Sequence, residues 1–315
     1  MIISASRRTD IPACHSEWFF NRLKEGFVLT RNPMNYHQVS RIPLTPDVVD
    51  GIVFWSKNPA PMIPKLDLLN GRAYYFQFTL TPYGPEIEKN LPSKSEALIP
   101  TFQKLSEHIG PDRVIWRYDP ILLNDAWTAD RHIQQFGQFA HRLSNYTKQV
   151  VISFIDLYQN VMRHSRELSL KSLNEEDMKT IASAFSQIAS EYHLTLTTCS
   201  ETIDLSEFGI YHGSCIDKML LERILDCSLS LEKDKNQRSQ CGCASSIDIG
   251  SYNTCFNGCA YCYANYSPSL LNRNKEECDP YSPLLCSTLT EGDLVKPRAV
   301  SSAKDFQLKL PIFRP

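Results

Sequence analysis

The 315-residue chain has little net charge, no long apolar run and few histidines. Its formal charge of -2 at pH 7 argues against a general electrostatic attraction to nucleic acid or to anionic membranes. No stretch approaches the roughly 20 apolar residues that a membrane-spanning helix needs, and the first residues lack the long apolar core of a secretory signal peptide. The eight histidines form no pair four residues apart on one helix face. We therefore expect a cytoplasmic protein without a membrane contact, in which any contact with nucleic acid is local and not favoured.

The eleven cysteines are odd in number and unevenly placed, and five of them lie between residues 241 and 262. This distribution fits a cytoplasmic protein that binds a metal or a cluster better than it fits a disulfide scaffold. Residues 254–265 space Cys255, Cys259 and Cys262 as C-x3-C-x2-C. Three thiolates on one tight loop can hold three corners of a four-iron cluster and leave the fourth iron open to a small molecule.

The same spacing is typical of radical S-adenosylmethionine (SAM) enzymes, in which the amino and carboxylate groups of SAM chelate the open iron. Tyr261, directly before the third cysteine, is predicted to lie beside the adenine of SAM. Gly258 is predicted to let the loop fold back so that the three sulfurs converge, because glycine tolerates backbone angles that other residues avoid. The expected cofactors are therefore a [4Fe-4S] cluster and SAM, with an electron donor such as flavodoxin or ferredoxin as partner.

A zinc site is the main alternative for these cysteines. Cys259 and Cys262 form one knuckle, which Cys241 and Cys243 could complete as a tetrahedral set of four thiolates. Cys255 would then be left over, and structural zinc sites usually come as two C-x2-C pairs.

Four further cysteines stand apart from the main motif and could fully ligate a second, closed cluster or a zinc ion; these are Cys199, Cys215, Cys241 and Cys243. Unligated buried thiols are the other interpretation, since free cysteine packs well as a small hydrophobe. The remaining cysteines have no such context and are expected in packing or surface positions; these are Cys14, Cys227, Cys278 and Cys286.

Apolar, β-rich runs alternate with helical patterns along the chain. Strands are predicted at residues 2–6, 51–55, 74–80, 113–118, 150–155 and 194–198, with a seventh at 246–251 before the cysteine loop. Helices are predicted between them, with Ser93, Thr128 and Asn174 as N-caps. Strand–helix units in a row favour an α/β fold with a parallel sheet, and most naturally a (β/α) barrel. We expect residues 1–265 to form this barrel, with the cluster loop at 255–262, and residues 266–315 to form a C-terminal extension packed on it.

Polar residues follow the predicted strands at the end where chemistry collects in barrels and open parallel sheets. Gathered at one mouth, they could clamp SAM and a small, anionic or strongly hydrogen-bonding substrate. The candidates for cofactor binding are Arg7, Arg8, Arg117 and Asp119, and the candidates for catalysis are Lys57, Asp10 and Glu201. Each residue could instead be a solvated loop charge or one partner of an ion pair at the rim.

The chain resembles the family known as domain of unknown function 1848. The matching stretches are residues 4–12, 53–59, 115–120, 233–238 and 241–265, so the likeness covers nearly the whole chain. The family is similar to radical SAM proteins and its members are sometimes labelled photolyase-like, so the resemblance implies a cluster and says little about the substrate.

The chain departs from ordinary radical SAM cores in one respect. Its cysteine loop follows six predicted strands instead of one, and no Gly-Gly-Glu-like turn for the SAM amino group is present. Because a barrel is cyclic, a permuted, radical-SAM-like order would still place the cluster strand beside the first strand. Arg7, Arg8 and Asp10 would then lie next to the cluster.

The sequence is therefore compatible with three functions. The leading interpretation is a radical-SAM-like enzyme of unknown substrate. The second is a non-catalytic iron–sulfur or zinc protein that binds a partner or nucleic acid. The third is a metal-independent barrel enzyme that uses Lys57, Asp10 and Glu201, with the cysteines in structural positions.

Overall fold

A computed structural model describes residues 1–156 and 168–305. The strands, in chain order, are β1 (Ile2–Ala5), β2 (Phe27–Asn32), β3 (Asn35–Pro43), β4 (Gly51–Ser56), β5 (Ala73–Thr79), β6 (Val114–Ile121), β7 (Gln149–Phe154), β8 (Thr195–Thr198), β9 (Tyr211–His212), β10 (Ser228–Leu229), β11 (Ile247–Asp248), β12 (Leu294–Pro297) and β13 (Lys304–Asp305). The helices are α1 (Ile11–Cys14), α2 (Ser16–Glu25), α3 (Ile99–Ile109), α4 (Ala129–Leu143), α5 (Glu175–Glu191), α6 (Lys218–Leu225) and α7 (Pro268–Glu276). Shorter 3-10 helices are Ile63–Leu69, Pro111–Arg113 and Ser206–Phe208.

The centre of the molecule is an eight-stranded parallel sheet in the order β11-β1-β4-β5-β6-β7-β8-β9. The predicted strands are confirmed within a few residues, and the six before the cysteine loop are neighbours in the predicted order. β11 pairs with β1 through Ile3 with Ile247 and Ser4 with Asp248. The expected placement of the cluster strand beside the first strand is therefore confirmed.

The barrel prediction is wrong, because the sheet is open. β11 and β9 are its two edges, and no pairing between them is present among residues 1–156 and 168–305. Each edge strand has two residues, too few to continue the ladder of bonds that closes a barrel. Closed and open parallel sheets have the same alternation of apolar strands and amphipathic helices, so the sequence pattern alone could not separate them.

Both faces of the central strands are buried, as is usual for a parallel sheet covered on two sides. Alternate residues therefore belong to different apolar layers, for example Val53 and Phe54 of β4. On one face, Trp116 of β6 stacks on Phe136 of α4, which stacks on Phe185 of α5. On the other face, α6 packs against β5. The two layers fix the register of each strand, since a slip of one residue would exchange its faces.

Helix starts follow the predicted caps. Thr128 accepts a hydrogen bond from the Arg131 backbone, and Asn174 forms a capping box with Asp177 at the start of α5. Ser93 also acts as a cap, but it begins a π-helical turn, Lys94–Leu98, that continues into α3.

The sequence pattern missed a hairpin between α2 and β4. Strands β2 and β3 pair antiparallel, and β12 from the C-terminal region adds a third strand beside β3. The C-terminal region also contacts α2, where Trp18 donates to the Ser282 carbonyl at 2.9 Å. The division at residue 265 stays a prediction. No helix in the described part of the chain is both long and apolar enough to cross a membrane.

Candidate functional site

A cavity of about 370 Å³ lies where the central strands end. Parallel strands deliver their carboxyl ends to the same edge of a sheet, which is where such folds bind ligands. We call Cys255, Cys259 and Cys262 the cysteine trio, and Cys199, Cys215, Cys241 and Cys243 the cysteine quartet. Both groups line this cavity, together with the predicted residues Arg7, Arg8, Asp10, Lys57, Arg117, Asp119 and Tyr261.

The loop that carries the trio is fastened to residues 87–90. The Asn90 side chain donates to the Phe256 carbonyl at 2.8 Å, and the Ala260 backbone donates to the Ile87 carbonyl at 2.8 Å. Gly258 has a φ of 70°, and a Cβ there would lie 2.8 Å from the Asn90 amide nitrogen. The need for glycine at this turn is thus confirmed.

The trio residues are half-buried. Burial raises the pKa of Cys259 well above its usual range and that of Cys262 to about 11. The pKa of Cys255 is lowered, chiefly by a hydrogen bond from the Cys14 thiol. Cys14 also accepts from the Phe256 backbone at 3.4 Å, so its predicted packing role missed a contact with the trio. Since metals bind thiolates, loading this site would release protons.

Asp10 joins three parts of the site. Its carboxylate accepts from the Lys57 backbone at 2.7 Å, the Asn257 side chain at 2.8 Å and the Ala13 backbone at 3.0 Å. Burial raises the pKa of Asp10 despite these hydrogen bonds. Asp10 therefore joins the start of α1 and the end of β4 to the trio loop. It lies beside this loop, as expected from the sequence.

Glu88 is the centre of a buried network that the sequence did not reveal. It accepts from Lys57 at 2.7 Å and from Thr81 at 2.8 Å, and it also binds Lys94 and the Tyr261 hydroxyl. Burial alone would raise the pKa of Glu88, but the two lysines bring it down to about 2. The need of Lys57 for a partner was visible in the sequence; the identity of that partner was not.

Tyr261 is held by this network. Its hydroxyl binds Glu88, its ring centroid lies 6.0 Å from that of Tyr83, and the Lys57 ammonium lies 5.3 Å from the ring centroid. The ring therefore has a fixed position on the cavity wall directly before Cys262.

Arg117 is buried and forms an ion pair with Asp119, which also accepts from the Ser153 hydroxyl. The other guanidinium nitrogen, Nη1, donates to the Cys215 sulfur at 2.8 Å. The predicted alternative of an ion pair is confirmed as a contact for Arg117 and Asp119. Their role in binding a cofactor stays a prediction.

Arg7 and Arg8 lie over aromatic rings at the same cavity. The Arg7 guanidinium is 5.5 Å from the Trp55 ring centroid, and that of Arg8 is 5.2 Å from the Tyr252 centroid. The Arg7 Nη2 atom is buried and has no hydrogen-bond partner in the described part of the chain. An orphaned donor of this kind favours an anionic ligand, which would satisfy it.

Glu201 is not among the residues that line the cavity. It accepts from the Phe154 backbone at 2.9 Å, which joins the end of β7 to the loop after β8. Burial, with the nearby carboxylates of Asp119 and Asp156, raises the pKa of Glu201 to about 8. Its catalytic role, like those of Lys57 and Asp10, stays a prediction.

A further group lies on the far side of the trio loop. The Nδ1 atom of His15 and the sulfurs of Cys278 and Cys286 are all within 4.8 Å of one another, and they could hold a metal ion with the two thiols reduced. The two cysteines are disulfide-bonded, and the Nε2 atom of His15 lies 2.8 Å from the Thr254 carbonyl. The expected packing position is confirmed, since Cys286 is buried in the core and Cys278 packs against it, but the disulfide between them was not predicted. No spacing in the sequence joins residue 15 to residues 278 and 286.

Comparison with known proteins identifies a family but no named relative. No curated protein and no solved structure matches the chain. One family model, described as a domain of unknown function, DUF1848, matches residues 2–264. That match contains the whole open sheet, the cysteine quartet and the cysteine trio. The chain therefore belongs to the DUF1848 family.

Proposed function

We propose that the protein is a radical-SAM-like iron–sulfur enzyme, in which the cysteine trio holds a [4Fe-4S] cluster and the adjoining cavity binds SAM and a small substrate. The observation that carries this proposal is that all three trio residues line the same cavity as the cationic strand ends.

The donor set fits the cluster. Three thiols from one loop match the usual ligands of four-iron clusters and leave one iron without a protein ligand. If bound there and reduced by a donor such as flavodoxin or ferredoxin, a cluster of this kind would supply an electron for the reductive cleavage of SAM. Burial raises the pKa of Cys259 and Cys262, so a metal that binds their thiolates must displace their protons.

The chain's own side chains would bind and orient the cofactor. The orphaned Nη2 of Arg7 offers a hydrogen bond to a carboxylate, and its cationic neighbour Arg8 adds positive charge. Tyr261 offers a fixed aromatic wall because Glu88 holds its hydroxyl. A cavity of about 370 Å³ has the size of small-molecule sites. These properties support an anionic ligand with a planar group.

A non-catalytic iron–sulfur protein is the second candidate, and the position of Cys14 favours it. The Cys14 thiol contacts Cys255, so a fourth sulfur stands beside the trio. Were Cys14 to ligate the fourth iron, no open position would remain for SAM. The two candidates therefore differ in the behaviour of a Cys14→Ala variant.

The test is anaerobic purification, iron and sulfide analysis, and reduction with dithionite in the presence of SAM. The enzyme should release 5′-deoxyadenosine, and SAM should change the electron paramagnetic resonance spectrum of the reduced cluster. Cys259→Ala should abolish both signals, whereas Cys14→Ala and the control Cys227→Ala should keep them. Iron loss in Cys14→Ala together with a spectrum that ignores SAM would select the non-catalytic candidate. Protein that holds zinc without iron or sulfide would refute both.

A further inference from the structure

The cysteine quartet comes from three separate segments. Cys199 follows β8 directly, Cys215 lies between β9 and α6, and Cys241 and Cys243 precede β11. The sulfurs of Cys199 and Cys215 are 3.1 Å apart, and Cys243 forms side-chain hydrogen bonds with both Cys215 and Cys241. The four thiols thus form one continuous line of sulfur contacts along the cavity wall.

The backbone around the quartet is built for this approach. The Cys215 carbonyl accepts from the Tyr75 hydroxyl at 2.6 Å and from the Gln77 side chain at 3.0 Å, which fixes it to β5. A Cβ at Gly242 would lie 2.6 Å from the Ser214 hydroxyl oxygen, so these two loops approach each other closely.

Donors and positive charge surround the sulfurs. The Ile216 backbone donates to Cys243 at 3.4 Å, and Arg117 donates to Cys215 at 2.8 Å. Arg7 is close enough to Cys243 and Cys215 for their charges to favour its cationic form. Four thiolates around a divalent cation carry two net negative charges, and the two guanidinium groups offset part of them, since each also pairs with a carboxylate, Asp119 or Asp234. Such outer contacts orient metal ligands in known sites.

We propose that the cysteine quartet binds one zinc ion in a closed site of four thiolates, separate from the cysteine trio. With a Zn–S bond of about 2.3 Å, a tetrahedral site places its sulfurs roughly 3.8 Å apart. The Cys199–Cys215 contact of 3.1 Å is nearer to this spacing than to that of a four-iron cluster, which holds its ligand sulfurs further apart because two iron atoms stand between any pair. Movement of the Cys199 and Cys241 sulfurs, at the two ends of this line, toward one ion would complete the tetrahedron.

A closed site gives the zinc a structural role. It would fasten residues 231–245, within which the Asp234 backbone donates to the Cys243 carbonyl at 2.9 Å, to the end of β8. That fastening would also fix the cavity wall opposite the trio, because both cysteine groups line the same cavity. The proposal does not rest on the iron–sulfur function, since no trio residue is a zinc ligand in it.

The experiment measures zinc and iron in the same anaerobic preparations by mass spectrometry of the elements. Wild type should hold about one zinc per chain. Cys243→Ala should lose the zinc and keep its iron, whereas Cys259→Ala should lose iron and keep its zinc. Cys227→Ala, a free and partly buried cysteine outside both groups, should keep both metals. Absence of iron in every preparation would refute the proposed enzyme and leave the zinc result standing.

Cobalt(II) exchange into wild type provides a second measurement if Cys243→Ala does not fold. The cobalt protein should show the strong visible bands of a tetrahedral four-thiolate site. Zinc that persists in folded Cys243→Ala, or that is lost in Cys286→Ala instead, would overturn the assignment. So would iron and sulfide without zinc in Cys259→Ala, because the quartet would then hold a cluster. A Cys199–Cys215 disulfide in metal-free wild type would overturn it as well.

Discussion

Glu88 is the residue whose removal should most clearly reveal how the cavity is held together. Its carboxylate has no exposed side-chain area and is shared by Lys57 and Lys94. It also accepts from Thr81 and Tyr261. Replacing it by glutamine keeps the shape and removes the negative charge, so the two ammonium groups lose their common counter-ion inside the protein.

The size of the expected destabilisation follows from the pKa of Glu88. Although burial raises it, the two lysines lower the pKa of Glu88 from its ordinary 4.5 to about 2. At about 1.4 kcal/mol per pKa unit, this is a contribution of about 3 kcal/mol to the free energy of unfolding at neutral pH. Breaking a buried ion pair by removing one partner costs about 3–5 kcal/mol in other proteins. Because the folded pKa is the lower one, the contribution is complete above pH 4.5 and is lost as the pH falls toward 2.

Urea unfolding followed by circular dichroism is the assay. Glu88→Gln should unfold with about 3 kcal/mol less free energy than wild type at pH 7, and the difference should shrink below pH 4.5. Glu86→Gln is the matched control, since Glu86 is exposed and its loss should cost less than about 0.5 kcal/mol. Should Glu88→Gln unfold within about 1 kcal/mol of wild type at pH 7, the carboxylate does not bind the lysines as described.

Three further changes test other parts of the structure. Burial lowers the pKa of His132 from 6.5 to about 4. The neutral side chain therefore contributes its full stability above pH 6.5, and this contribution is lost as the pH falls toward 4. His132→Gln should make the free energy of unfolding in urea less dependent on pH between these two values. Gly258→Ala should lower the free energy of unfolding by at least about 1 kcal/mol and lower the iron content. Gly137→Ala inside α4, where a Cβ meets nothing closer than 3.8 Å, should instead raise the melting temperature. Zinc chelation should speed tryptic cleavage within residues 233–238, and an unchanged cleavage rate would contradict the fastening of that segment by the quartet.

The strands, the helix caps and the trio loop were predictable from local sequence patterns. β4 is an apolar run that ends in a polar residue, and Asn174 caps α5 through Asp177, only three residues away. The turn at Gly258 was also predictable, because a positive φ is a property of the loop backbone itself. Such features are decided by neighbours in the chain, so they survive in a single sequence.

The sequence by itself determined a parallel α/β protein of the DUF1848 family with a cysteine loop that follows the strand beside β1. Only the tertiary structure decided that the sheet stays open, that Glu88 is the partner of Lys57, and that Cys14 stands beside Cys255. The physical reason is separation along the chain. Closure depends on whether the two edge strands meet, and Glu88 reaches Tyr261 across 173 residues. No local pattern encodes which distant groups will share one buried space.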